Sequence, residues 1–164
     1  MIFASVGSML PFDRLTRAVD AWAGDNPQTP VHIQIGDGSY EPQNAEWTRM
    51  MPHDVYLQRL ADCSLFVAHV GIGSILQALE LGRQMLMLPR RASLGEHTTE
   101  HQLDTAAKFQ ETAGLAIAQD ASALRLAMSA LLSSPLSGAT RLSCFAPKPM
   151  TDKIREFLLT THPR

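Results

Sequence analysis

Cysteine is scarce in this chain. Its 164 residues include two, Cys63 and Cys144, which is too few for the disulfide framework of a small secreted domain. Also missing are an apolar run long enough to cross a bilayer and a charged-then-apolar leader. Together these absences predict a cytoplasmic protein with free thiols, Cys63 being a small buried side chain. No excess of charge of either sign is present, with 14 basic against 16 acidic residues. A broad positive field for nucleic acid or an anionic membrane is thereby excluded, and no nucleic-acid partner is expected.

What is present is length enough for one ordinary domain and a regular alternation of patterns. Met1 to Val6 is a short apolar run ended by Gly7-Ser8, and Phe12, Leu15, Val19 and Trp22 then follow at helical spacing. Val31 to Ile35 alternates and stops at Gly36-Asp37-Gly38, which predicts a second strand; Trp47 to Met51 is a candidate short third. Beyond Pro52 a short helix is expected through Val55, Leu57 and Leu60. Ser64 to Ala68 reads as a buried strand, followed by a His69-to-Gly73 turn and a helix carrying Ile75, Leu76 and Leu79. The same pattern recurs with strands at Met85–Leu88 and Leu115–Ala118 and helices over 101–113 and 121–132. Strands apolar on both faces, alternating with helices, predict an α/β, doubly wound, Rossmann-like and mostly parallel sheet. Residues 1–132 form the expected domain, the Ser- and Pro-rich stretch 133–150 a linker, and 151–164 a last helix and tail that either folds back or serves a partner. The methionines of Met85–Leu88, with Trp22 and Trp47, are expected to pack in the core.

In such a sheet ligands bind beyond the carboxyl ends of the strands. Three turns there are short of side chain: Gly7-Ser8, Gly36-Asp37-Gly38-Ser39 and His69-Val70-Gly71-Ile72-Gly73-Ser74. Small residues let backbone N–H groups approach an anion, and a helix N-terminus favours phosphate. The same glycines could serve chain geometry alone, since Gly71 and Gly73 come without the third glycine of a dinucleotide fingerprint or the lysine of a P-loop. His69, facing the same turn, is either a structural residue or a donor to a phosphate oxygen.

His97-Thr98-Thr99-Glu100-His101 matches the H-x-x-E-H order of a zinc hydrolase, which needs two imidazoles one helical turn apart and a carboxylate as general base. No third ligand is signposted, and the preceding loop, Arg90 to Gly95, does not anticipate a metal. The zinc reading is therefore a remote alternative, and no metal or other cofactor is expected.

The stretches FASVGSMLPFDRL and ADCSLFVAHVGIGSILQALELGRQMLMLPRRASLGEHTTEHQLDTAAKF resemble the C-terminal, donor-binding domain of glycosyltransferase family 28. They are most similar to its short stand-alone members, the small subunits of exopolysaccharide and dolichol-linked N-acetylglucosamine transferases. The resemblance implies one half of a GT-B architecture that holds a UDP-sugar. It implies Gly7 and Ser8 near the diphosphate, and His69, Gly71, Gly73 and Ser74 in the phosphate-facing turn. Glu96, His97, His101 and Gln102 are implied to line the donor sugar. Gln77 stands where family members commonly carry a Glu associated with the ribose hydroxyls, and is either that contact in amide form or an ordinary polar helix residue. Arg90 and Arg91 either assist the diphosphate or a partner, or are solvated loop charges. Since the acceptor-binding half supplies the general base in this inverting family, the resemblance further implies a separate, membrane-anchored partner subunit. Membrane association would then come only through that partner. A non-catalytic nucleotide-sugar-binding module of the same fold is the alternative.

Overall fold

A computed structural model describes residues 1–136, 143 and 145–161. Its elements run β1 (Ile2–Ser5), α1 (Asp13–Asp25), β2 (Val31–Gln34), β3 (Glu46–Thr48), α2 (His53–Asp62), β4 (Leu65–His69), α3 (Ile72–Glu80), β5 (Met85–Leu88), a single 3-10 turn (Ala92–Leu94), α4 (His101–Phe109), β6 (Leu115–Ile117), α5 (Ala121–Ser133) and α6 (Lys148–Thr161). The six strands form one sheet in the order β3-β2-β1-β4-β5-β6, with every pairing parallel. This is the doubly wound class expected from the alternating pattern.

The strands are apolar throughout because both faces of the sheet are covered. Along β1 the side chains alternate: Ile2 and Ala4 join Leu15, Val19, Trp22, Leu124 and Met128 beneath α1 and α5, while Phe3 joins Leu60, Phe66, Ile75 and Ala78 beneath α2 and α3. Each fully buried Ile, Leu, Phe or Met stabilises the fold by about 1.5–3 kcal/mol relative to exposure. Met85 and Met87 fill the second face and Leu86 and Leu88 the first, so the methionine-rich strand is core. Trp22 is buried as well and donates from Nε1 to Ser129 Oγ at 2.8 Å, which ties α1 to α5. Asp120 caps α5 by accepting from the Ala123 amide at 2.8 Å. Cys63 is buried with its thiol pushed up to about 11 by burial, so it packs as an inert small side chain.

Several boundaries differ from the pattern in the sequence: β3 covers Glu46–Thr48 instead of 47–51, and α4 ends at Phe109 instead of 113. Helix α3 begins at Ile72, so Gly73 and Ser74 lie in its first turn instead of before it. Helix α6 begins at Lys148, inside the stretch that composition marks as linker. Lys148-Pro149 can open a helix because proline lacks only an N–H that the first turn leaves unbonded anyway. Residues 137–142 of that linker, Cys144 and the tail 162–164 lie outside the described residues. On α6, Met150, Ile154, Leu158 and Leu159 each expose half or more of their surface. No helix among the described residues is long and apolar enough to cross a membrane.

The chain leaves β1 toward β2 and β3 on one side, then crosses to β4, β5 and β6 on the other. A crevice therefore opens beyond the carboxyl ends of β1 and β4, where the strand order reverses. Away from the crevice, Asp20 of α1 fixes the segment that leads into β3. This fully buried carboxylate accepts from the amides of Gln43 (3.0 Å), Asn44 (2.8 Å) and Ala45 (3.0 Å) and from the Tyr40 hydroxyl (2.6 Å). Burial pushes its acidity the other way, but these four donors outweigh it and hold the carboxyl below its ordinary value. Asp20→Ala is expected to cost about 2–4 kcal/mol in urea denaturation, because it orphans several buried donors at once. A depressed carboxyl stabilises at neutral pH and loses its effect as pH falls below the ordinary 3.8 through the folded value. Asp20→Asn should accordingly flatten the acid limb of the stability profile.

Candidate functional site

A cavity of about 540 Å³ fills the crevice. The loop after β1 (Val6 to Leu10), the start of α3 (Gly71, Gly73, Ser74, Gln77) and the segment entering α4 (His97, His101, Gln102) wall it, with Arg90 at the end of β5. Gln34, Met50, Met51, His53 and Tyr56 close the side toward β2 and β3. All the residues implied by the family resemblance line this cavity except Glu96. Among the described residues none lining it is Asp or Glu.

The walls present unpaired backbone donors. The amides of Ser8, Met9 and Leu10 have no acceptor among the described residues, and neither do those of Gly73 and Ser74 in the first turn of α3. A helix start leaves such N–H groups unbonded by construction, and its partial positive charge adds to them. Gly7 sits at φ +84°, which a β-carbon would strain, and its amide is held by Ser5 Oγ at 3.1 Å.

The imidazole of His69 explains two of the glycines. A β-carbon on Gly7 would stand 2.6 Å from His69 Nε2, and one on Gly71 would overlap Cε1. The ring thus fills the gap between the β1 and β4 loops, and only glycine leaves room for it. Gln102, buried at the start of α4, holds the ring from the other side: its Nε2 lies 3.2 Å from His69 Nδ1, while its Oε1 accepts from the Val70 amide at 3.2 Å and the Arg90 amide at 3.0 Å. One amide side chain therefore fastens the ends of β4 and β5 and selects the tautomer with Nε2–H.

Glu96 has a different place from the one the resemblance implies. Its carboxylate is gripped by Arg14, Nε to Oε1 and Nη2 to Oε2 both at 2.7 Å, and accepts from the Arg91 amide at 2.9 Å. Bound this way it shapes the loop after β5, and sugar contact would require breaking a two-bond ion pair. Arg90, one of two charges in an apparently polar loop, is 2% exposed. Its guanidinium donates to the carbonyls of Val6 (2.7 Å), Leu10 (2.7 Å), Pro11 (2.5 Å) and Glu96 (3.3 Å) and stacks 4.6 Å over the Phe12 ring. Burial excludes a solvated loop charge at Arg90. The available signal was a cation set directly against Leu88-Pro89, the end of an apolar strand. Tyr56 and Gln34 were not signposted either, because each enters the cavity from an element whose pattern shows only its core face.

The zinc-like pentapeptide is not laid out on one helix. His97 lies in the loop and His101 opens α4, their rings edge to face at 4.3 Å; Glu100 turns away to accept from the Ser93 amide at 3.1 Å. Thr99 engages both imidazoles, its amide 3.3 Å from His97 Nδ1 and its hydroxyl 2.7 Å from His101 Nδ1. Among the described residues no group of three or more potential metal ligands converges.

Residues 1–156 match the family model described as the glycosyltransferase family 28 C-terminal domain. The chain belongs to that family. No curated protein matches it by sequence. Among solved structures, this family 28 domain is similar to a calicheamicin glycosyltransferase, with a TM-score of 0.66 and 17% identity, covering 99% of this chain and 44% of that one. It is also similar to the glycotransferase of kitacinnamycin (TM-score 0.59, 20% identity, 82% of this chain and 35% of the other). A third likeness is the spinosyn forosaminyltransferase (TM-score 0.54, 16% identity, 81% and 35%). At these identities the likeness is one of fold, that of the C-terminal half of a GT-B glycosyltransferase. The chain spans less than half the length of each.

The family 28 domain keeps His69 neutral. Burial, then the nearby charges of Arg90 and His97, push its pKa down to about 4. His97 is held below its ordinary value by desolvation, His101 and Arg90. Unfolding exposes His69 to take up a proton near 6.5, so stability should fall as pH drops from about 6.5 to about 4. In His69→Ala that slope should shrink, as followed by urea denaturation across the window. Gly71→Ala should cost about 1–3 kcal/mol by overpacking, and most of that loss should be recovered in the His69→Ala background.

Proposed function

We propose that this domain holds a UDP-sugar in the cavity as the donor half of an inverting glycosyltransferase. The observation that carries the reading is the pairing of two sets of unbonded amides, Ser8 to Leu10 and Gly73 to Ser74, around a cavity lined by four histidines and Arg90 and, among the described residues, by no carboxylate. That is an environment for an anion, and a diphosphate is the anion that an activated sugar carries. The donor sugar would then extend toward His97 and His101, and the nucleoside toward Gln77 on α3. The amide of Gln77 can both donate to and accept from ribose hydroxyls, with less acceptor strength than a carboxylate.

In the proposed reaction an acceptor hydroxyl attacks the anomeric carbon as the bond from that carbon to the β-phosphate oxygen breaks. The hydroxyl proton passes to a base outside this domain, and UDP departs with the bonding pair. The part played by this chain is to hold the donor and to stabilise the negative charge growing on the leaving diphosphate. Preorganised amides and the start of α3 serve that purpose at no cost of reorganisation. Neutral His69, with Nε2–H available, is a donor there and not a base.

The acceptor is proposed to be lipid-linked or a polysaccharide, brought by a membrane-anchored subunit that supplies the other half of the catalytic cleft. One observation supports a partner: α6 leaves Met150, Ile154, Leu158 and Leu159 largely uncovered.

Calorimetric titration with UDP-N-acetylglucosamine, UDP-glucose and UDP-glucuronate tests the reading. Gly73 has no atom within 4 Å of where a β-carbon would stand, so Gly73→Val should keep the fold. It should crowd the anion and weaken UDP-sugar affinity by about tenfold or more, about 1.4 kcal/mol. Unchanged affinity in Gly73→Val and His69→Ala would show that the diphosphate lies elsewhere.

A further inference from the structure

We propose that Arg90 is the positioning residue of the diphosphate site, acting on the ligand through the loop it fastens and the charge it holds rather than through a bond. This inference rests on the UDP-sugar reading.

The stretch between Val6 and Phe12 has no regular hydrogen bonding of its own along the cavity. It is fixed from behind. Arg90 Nη2 takes the carbonyls of Val6 and Leu10, each at 2.7 Å, and Nη1 takes those of Pro11 and Glu96. Between the two carbonyls held by Nη2 lie Ser8, Met9 and Leu10, the residues whose amides have no acceptor among the described residues. Securing the carbonyls at either end of this segment sets its path with those amides unspent. Without that anchor the loop could satisfy the amides internally and close the site. Arginine suits the task because its planar fork offers five donors in fixed directions, where lysine offers three on a flexible stem. The Glu96 carbonyl draws the segment before α4 into the same clasp, so one guanidinium sets the spacing between opposite walls.

Charge points the same way. A buried cation ordinarily needs a carboxylate, yet the one that acts on it among the described residues, Glu96, forms its two-bond pair with Arg14. Burial pushes Arg90 down to about 10, with Glu96 offsetting part of the effect, and it remains charged at neutral pH. The group Arg14, Glu96 and Arg90 thus carries one net positive charge beside a cavity with no acidic lining among the described residues. An anion in the cavity completes the compensation.

The test uses the whole chain with Arg90→Met and Arg90→Lys, each checked for folding by near-UV circular dichroism. Affinity is measured for inorganic pyrophosphate, UDP and uridine at one fixed salt concentration. For Arg90→Met the proposal requires pyrophosphate and UDP to weaken by at least about tenfold while uridine stays within about twofold, and for Arg90→Lys an intermediate loss on UDP. Titration of His69 followed by NMR should move upward in Arg90→Met, since a neighbouring cation is gone. Equal losses for uridine and UDP, no loss at all, or failure of both variants to fold would overturn the proposal by making Arg90 a residue of general structure. If the parent chain binds neither UDP nor pyrophosphate, the donor reading itself fails, and this inference with it.

Discussion

Six strands that all point the same way impose the constraint on which the site depends. Every connection must return across a face of the sheet, so the outgoing loops gather along one rim, and the reversal of order between β1 and β4 parts them into a crevice. The faces are then committed to hydrophobic packing, leaving the rim as the place where backbone polarity can remain unspent. The core therefore locates the site before any functional side chain is considered.

Within that rim the polar groups form a graded arrangement. Gln102 joins the ends of β4 and β5 and orients His69; His69 fills the space that Gly7 and Gly71 leave; Arg90 gathers the carbonyls of the facing loop. Glu96, matched to Arg14, closes the outside of the same loop. Gln102, Arg90 and Glu96 each satisfy groups on at least two chain segments, so the network substitutes for secondary structure where the chain is irregular. The low proton affinity of His69 follows from this crowding of buried and positively charged neighbours.

Much of the fold was legible because strands buried on both faces leave continuous apolar runs, as in Ile2 to Ser5 and Met85 to Leu88. Glycine turns marked the rim for the same reason, since Gly7 and Gly71 are needed by a close approach that no other residue permits. What could not be read was how polar side chains choose partners across long separations. Glu96 and Arg14 are 82 residues apart, and Arg90 reaches 84 residues back to Val6. A charge in a loop looks solvated in one dimension whether it is free or enclosed. The start of α3 was blurred by a related ambiguity, because Gly71-Ile72-Gly73-Ser74 has the composition of a turn while all but Gly71 already form helix.

The two outermost strands, β3 and β6, are three residues each. A margin so short offers little template for another chain to lengthen the sheet, which guards the domain against edge-to-edge aggregation. Assembly with a second polypeptide would then have to proceed through helical surfaces or the loop rim, leaving the sheet complete in itself.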